Sequence, residues 1–441
     1  MATGTLKSTR TSVDTYPETA GAAVAPSHSL STMRGVALYV GALLGPGLLL
    51  LPGLAAGIAG PASVLAWAGL LLVSGLFALV FTALGTRLPG GGGVIAYAAA
   101  GLGVRAGRAV GWSFLTAVVL GAPVVCMIGA GYVTALTGGG RMMTALVAAV
   151  LLACVTALTL AGARIGTAVQ LMLVGLLLAV IVTAVAGSLP AVRAAHWTPF
   201  APHGWTAIGG AASVLMLSFV GWEAVAPLTR RLADPARSLP RITAAAFAVT
   251  VVVYLALAAS VVAVLGARAD GPAPVADLLR AAVGAAGPGI AASAAVLLTL
   301  AAINAYMTGA AALVEHLRHA ADATSMHEEA DAATDETGSR TRGFFLAIAA
   351  AGLVELTGEA LGLLDTTRMV TLPTALFLVV YVGSMAAAAR VLHGWLRLAA
   401  ALACAASLGV LAFSGVAAIV ALLVTAAGLF APSRPGPHRM G

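Results

Sequence analysis

Two short stretches of this chain carry the groups that could do chemistry. Residues 41 to 53 read Gly-Ala-Leu-Leu-Gly-Pro-Gly-Leu-Leu-Leu-Leu-Pro-Gly, inside a segment otherwise apolar enough to cross a bilayer. Residues 218 to 227 read Ser-Phe-Val-Gly-Trp-Glu-Ala-Val-Ala-Pro and place the carboxyl of Glu223 inside a second such segment. A proline in a helix interior costs about 3 kcal/mol and a glycine about 1 kcal/mol. A freed amide finds no water in hydrocarbon, so breaks there survive only where the backbone faces protein or a wet cavity. Transporters use such interrupted helices to hold a solute near the midplane. Burying Glu223 costs about 3 kcal/mol or more. It reads as a proton carrier, a pH-responsive gate, a hydrogen-bond anchor for the unwound first span, or a purely structural clamp.

The elements that position these stretches follow from composition. Hydrophobic residues make up 60% of the 441 positions, charged residues 9%, and the mean hydropathy is +1.02. That balance predicts an all-α polytopic membrane protein. Apolar runs bounded by charge, glycine or proline give about twelve transmembrane helices, at 34–58, 62–86, 109–136, 142–162, 165–188, 205–227, 241–266, 288–316, 343–358, 362–390, 395–413 and 415–432. With the N-terminus inside, 18 of the 23 basic residues fall on the cytoplasmic side, leaving outside Arg141, Arg193, Arg268, Arg280 and Arg368. This asymmetry predicts a multi-pass protein of the plasma (inner) membrane with both termini cytoplasmic. It also accounts for the net charge of +7, so nothing points to nucleic acid.

The organisation follows from the two breaks. Residues 1–31 read as a disordered cytoplasmic tail, 32–188 as a first half holding five spans, and 189–392 as a second half holding five more. An acidic cytoplasmic loop, 319–342, interrupts the second half; residues 393–432 add two C-terminal spans and 433–441 a second tail. The breaks fall in equivalent spans, the first and the sixth. With an odd number of spans per copy the second copy is inserted upside down, which is an inverted repeat. Residues 267–287 read as an outer loop with a short helix around Ala273–Val283, and Pro373 predicts a kinked tenth span.

Several motifs in register resemble one family. They are Gly41-Ala-Leu-Leu-Gly45-Pro-Gly47 with Pro52, Leu88-Pro-Gly-Gly-Gly-Gly-Val94, Phe219-Val-Gly-Trp-Glu223, and Asp234-Pro-Ala-Arg237-Ser-Leu-Pro240-Arg241. Together they are similar to the amino acid–polyamine–organocation superfamily, and most of all to its methionine and branched-chain amino acid exporters. The resemblance spans residues 32 to 430 and implies a LeuT-type 5+5 inverted repeat plus two C-terminal helices. It also implies a free amino acid bound between spans 1 and 6. Many members have Gly–small polar–Gly at the first break, where the amides take the substrate carboxylate. Here Pro46 has no N–H to give and suits the first position of the outer half-helix. Gly47 and Leu48 would still turn amides toward the carboxylate. Gly45 and Gly47 would form the break, although Gly41 and Gly45 also make a small-xxx-small packing pair. Ser218, Phe219, Val220 and Gly221 would offer unwound carbonyls to the ammonium. Ala117, Gly121, Ala122 and Val125 on span 3, with Asn304 on span 8, would line the side-chain pocket, and Glu223 would couple or gate. Arg230 and Arg231 follow span 6 where relatives often carry acidic residues.

Other chemistries lack their motifs. Cys126, Cys154 and Cys404 lie in apolar spans and form neither a disulfide framework nor a metal cluster. Glu315, His316 and His319 fall where span 8 leaves the membrane and read as a solvated helix end. The glycine run 90–93 has no following Lys-Ser/Thr and makes an inner turn before span 3. No Walker motif, His-Glu-x-x-His or Gly-x-Ser-x-Gly is present, which excludes direct ATP drive and the common enzyme classes and calls for no cofactor. The leading reading is a secondary active transporter of neutral, apolar amino acids (Met, Leu, Ile, Val), working in export, with the lipid bilayer and protons as its other partners. An amino acid or amine importer or exchanger is the runner-up, followed by a membrane sensor that binds without translocating.

Pro46 gives the first test. Pro46→Ser restores an amide, and a hydrogen bond to a charged group contributes about 1.5–3 kcal/mol, or roughly a ten-fold gain in affinity and more. Calorimetry with methionine or leucine is expected to show that gain. Equal or weaker binding would mean that Pro46 does not limit carboxylate recognition.

Overall fold

The computed structural model describes residues 30–88, 93–162, 166–229, 231–322 and 332–430. All regular structure among these residues is helical, and ten helical stretches are long and apolar enough to cross a membrane. The chain is therefore an all-α polytopic membrane protein. The tails and the middle of the acidic loop lie outside the described residues, as does most of the glycine turn at 90–93.

The first span is two helices, α1 (Thr32–Leu43) and α2 (Gly47–Ala59). Helix α1 stops because Leu44 leaves helical geometry (φ −84°, ψ 74°). Helix α2 restarts on Pro46, which is its N-cap at φ −61°, so the proline sits one residue earlier than the sequence suggests. Spans 2 to 5 are α3 (Ser63–Arg87), α5 (Val104–Thr137), α6 (Arg141–Leu160) and α7 (Thr167–Ser188), and a short helix, α4 (Gly93–Leu102), precedes α5. The sixth span is α8 (Ala207–Leu215), a tightened turn through Phe219, the break, another tight turn at Trp222–Ala224, and α9 (Val225–Thr229). Spans 7 to 10 are α10 (Pro235–Ser260), α12 (Gly287–Asp322), α13 (Ala332–Ala360) and α14 (Thr366–Val391), with the short helix α11 (Pro274–Val283) before α12. Helices α15 (Trp395–Ala412) and α16 (Val416–Phe430) complete the chain. Because α12 runs to Asp322 and α13 begins at Ala332, the expected loop 319–342 is shorter than its composition suggests.

Packing shows the repeat. The short helix α4 lies against α5 and α14, and its counterpart α11 lies against α12 and α7. Likewise α1 meets α10 while α8 meets α3, and α5 meets α13 while α12 meets α6. These contacts of one half recur in the other with the halves exchanged. Helix α4 was not foreseen, because the glycine run before it masks its start; α11 falls where the outer loop predicted a helix.

The two breaks touch. Gly221 has φ 137°, and a Cβ there would come within 2.5 Å of the Ala42 carbonyl oxygen. Only glycine allows both the dihedral and the approach. Backbone groups freed around the breaks are taken by four buried tyrosines. Tyr39 on α1 donates to Trp222 O at 2.9 Å, and Tyr132 on α5 donates to Leu49 O at 2.6 Å while accepting from Val275 N–H at 3.2 Å. Tyr254 on α10 lies within hydrogen-bond reach of Leu43 O (2.9 Å) and of Ser218 O, one carbonyl from each broken span. Tyr381 on α14 holds the far side of the sixth span, as described below.

Replacing Gly221 by alanine puts a side chain into a dihedral that costs about 1–3 kcal/mol and drives it into Ala42. Purified Gly221→Ala protein is expected to melt several degrees below wild type. An unchanged melting temperature would show that the approach is not obligatory.

Candidate functional site

Between the breaks lies a cavity lined by Ala42, Leu43, Gly45, Pro46 and Gly47 of the first span and by Leu217, Ser218 and Val220 of the sixth. Helix α5 closes one wall with Ala117, Val118, Gly121, Ala122, Val125 and Ile128; Tyr306 of α12 and Phe377 of α14 complete it. Its space for water centres is about 40 Å³, where one water occupies about 10–15 Å³ by the same measure. An aliphatic amino acid therefore needs the walls to part.

The polar groups are few. Pro46 has no N–H, and Leu48 N–H donates to Gly45 O at 3.2 Å. Leu48 itself is buried in the core rather than on the cavity wall. Gly47 N–H is thus the amide at the mouth of α2 that finds no acceptor among the described residues. Across from it, the buried Ser218 Oγ has no hydrogen-bond partner among the described residues and lies 3.6 Å from where a Gly47 Cβ would stand. An unpaired buried hydroxyl costs about 1–3 kcal/mol, and this one faces the cavity.

The four carbonyls expected to face an ammonium are not equivalent. Ser218 O is taken by Tyr254, Phe219 O lies 3.3 Å from the Tyr381 hydroxyl, and Gly221 O accepts from Ala224 N–H at 3.1 Å. Val220, extended at φ −74° and ψ 135°, keeps its carbonyl without a partner among the described residues. The Phe219 ring turns away from the cavity and packs on Trp67 and Tyr254.

Asn304 does not reach this cavity. Its amide donates to Thr159 Oγ1 at 3.4 Å, and it borders a neighbouring space of about 310 Å³ between α1, α7 and α12. Gly45 and Pro46 line both spaces, so the first break is the partition between them. Tyr306 and Phe377 escaped the sequence reading. Tyr306 lies only two positions from Asn304, on an aromatic that breaks a run of small residues.

Glu223 also stands outside the cavity. Its Oε2 accepts from Gly221 N–H at 2.9 Å and from the Tyr381 hydroxyl at 2.6 Å. The same hydroxyl oxygen accepts from Gly221 N–H at 3.2 Å and Trp222 N–H at 3.3 Å. The carboxyl therefore acts on the backbone of the sixth span, opposite to the first-span anchor suggested by the sequence. The side chains of Glu315, His316 and His319 lie outside the described residues, and among the described residues no group of three His, Cys, Asp or Glu is placed to hold a metal.

Comparison with known proteins adds a history to this geometry. The amino acid permease family model matches residues 30–320. An uncharacterised amino acid permease of Bacillus subtilis, YecA, is 30% identical over 417 residues, covering 93% of this chain and 97% of the relative. The L-methionine/branched-chain amino acid exporter YjeH of Escherichia coli is 33% identical over 216 residues, 48% of this chain and 51% of the relative. A branched-chain amino acid permease of Bacillus subtilis, BcaP, is 26% identical over 52% of the chain and 53% of its own length.

Gly45 separates packing from function. No atom lies within 4 Å of a Cβ added there, so Gly45→Ala is expected to leave stability and uptake by proteoliposomes near wild type. Gly45→Leu is expected to insert normally and lose transport, because its side chain fills the partition between the two spaces. Wild-type flux in a well-inserted Gly45→Leu protein would show that the break is not the path.

Proposed function

The chain belongs to the amino acid permease family, and from that premise we propose that it exports small neutral amino acids by alternating access around its two broken spans. The substrates are methionine, leucine, isoleucine and valine, and both termini lie in the cytoplasm. The observation that carries this reading is the pairing of Gly47 N–H with the unpartnered Ser218 Oγ in an otherwise apolar cavity. These two donors hold the carboxylate at the positive end of α2. The Val220 carbonyl and the Tyr306 hydroxyl supply acceptors for the ammonium. The wall of Ala117, Gly121, Ala122 and Val125 takes the side chain; it offers no charge to a cationic or anionic substrate.

Pro46 supports outward movement. It removes one amide from the carboxylate site and weakens ground-state binding, which suits a protein loading from a concentrated cytoplasm. The similarity to an exporter, which covers 48% of the chain, supports this direction.

Proton coupling enters through Glu223. When the carboxyl is ionised, Tyr381 donates to it at 2.6 Å. When it is protonated, the hydroxyl hydrogen has Phe219 O, 3.3 Å away, as its alternative acceptor. The proton thereby changes what holds the sixth break beside the substrate.

Proteoliposomes loaded with labelled methionine, under proton gradients of either sign, test this. Wild type is expected to move methionine against its gradient, and Glu223→Gln to lose that accumulation while still exchanging methionine for methionine. Unchanged accumulation in Glu223→Gln sinks the coupling role. Loss of both modes makes the residue a structural anchor.

A further inference from the structure

A third cavity, of about 490 Å³, opens where α2 ends, between the segments 196–203 and 262–270. It is remote from the breaks and shares no residue with the central cavity. Its walls carry three titratable side chains, His196, His203 and Asp270, beside Ala56, Val262 and several prolines.

The protonation of the rings follows from their partners. His196 Nδ1 lies 2.9 Å from Ala263 O, and His203 Nδ1 lies 3.0 Å from Ile58 O. A carbonyl only accepts, so each Nδ1 carries the hydrogen, and in the neutral ring the lone pair falls on Nε2. Asp270 forms no ion pair or hydrogen bond among the described residues, although Arg193 and Arg268 are the cations of the adjoining segments. Partial burial pushes its carboxyl up from its ordinary value. The carboxylate is seated on Gly57, where a Cβ would run into its Cγ and Oδ1, and His196 rests on Gly266, where a Cβ would come within 2.8 Å of the ring. The carbonyl end of α2 adds negative potential. With both ring N–H groups spent on carbonyls, the charged and ring groups of the cavity offer acceptors and no free donor, next to a small apolar wall. No trio of ligands is set for a metal among the described residues, so the complementary cation is one that donates several hydrogen bonds.

We propose that this cavity is a second binding site, for the ammonium group of a small amine or amino acid, formed by Asp270, His196 and His203 at the end of α2. The ammonium donates to the Asp270 carboxylate and to the ring nitrogens, and a short alkyl chain lies on the prolines and Val262. Gly53 of α2 packs on Ala269 and Pro274, and Gly57 on Asp270, so an occupant bears directly on the outer half of the first span.

Calorimetry on the purified full chain tests this with isobutylamine, which has no carboxylate and so does not depend on the Gly47–Ser218 pairing. Wild type is expected to bind it. Asp270→Asn, and separately His203→Phe on its exposed loop, are expected to weaken it at least ten-fold with unchanged melting temperature, and Gly45→Leu to leave it unaltered. N-acetylleucine, which lacks the ammonium, is expected not to bind here. Two leucine sites per chain, one lost in Asp270→Asn, would make the amino acid itself the occupant. One leucine site indifferent to Asp270→Asn would assign the cavity to free amines. Absence of isobutylamine binding to wild type, or equal binding to Asp270→Asn, overturns the proposal.

Discussion

A backbone amide or carbonyl stranded in hydrocarbon costs several kcal/mol, and this chain strands them twice. The rest of the interior is arranged around that constraint. Tyrosines from α1, α5, α10 and α14 reach carbonyls and amides in and beside the breaks of the first and sixth spans. Each such bond contributes about 0.5–1.5 kcal/mol net, yet leaving its partner unmade costs more. The hydroxyls are thus a condition for having the breaks at all. They also tie those breaks to spans 3, 7 and 10, so a shift of either broken span is felt by the helices around it.

What the tyrosines leave unpaired then becomes informative. Of the groups near the cavity, Gly47 N–H, Ser218 Oγ and the Val220 carbonyl remain without partners among the described residues. They are two donors and one acceptor in a space otherwise walled by the small side chains of α5 and by larger ones such as Leu43, Leu217, Tyr306 and Phe377. That complement matches a zwitterion with an uncharged side chain. The proximity of Gly221 to Ala42 means that the two breaks are one structural unit rather than two sites facing each other at a distance.

The sequence was legible where physics punishes the residue type. Glycine and proline at bilayer depth announced both breaks, and the spacing of the two broken spans announced the repeat that the packing displays. Ala117, Gly121, Ala122 and Val125 of α5, expected through the family resemblance to line a pocket, do line the cavity between the breaks. The tyrosines were not legible, since an aromatic in an apolar span looks like any core residue until its hydroxyl finds a carbonyl far away in sequence. The same reason hid Tyr306 and Phe377. It also hid the true partner of Glu223, which lies 158 positions further on at Tyr381. Leu48 was expected to offer its amide, which Gly45 O takes instead, and Asn304 was expected on the pocket wall of span 8 but borders the neighbouring space.

A structure of the protein with leucine bound decides whether the two breaks form the binding site. A carboxylate is expected within hydrogen-bond distance of Gly47 N and Ser218 Oγ, with the ammonium toward the Val220 carbonyl and the side chain against α5. Leucine seated elsewhere, with Ser218 Oγ still unpaired, would contradict it.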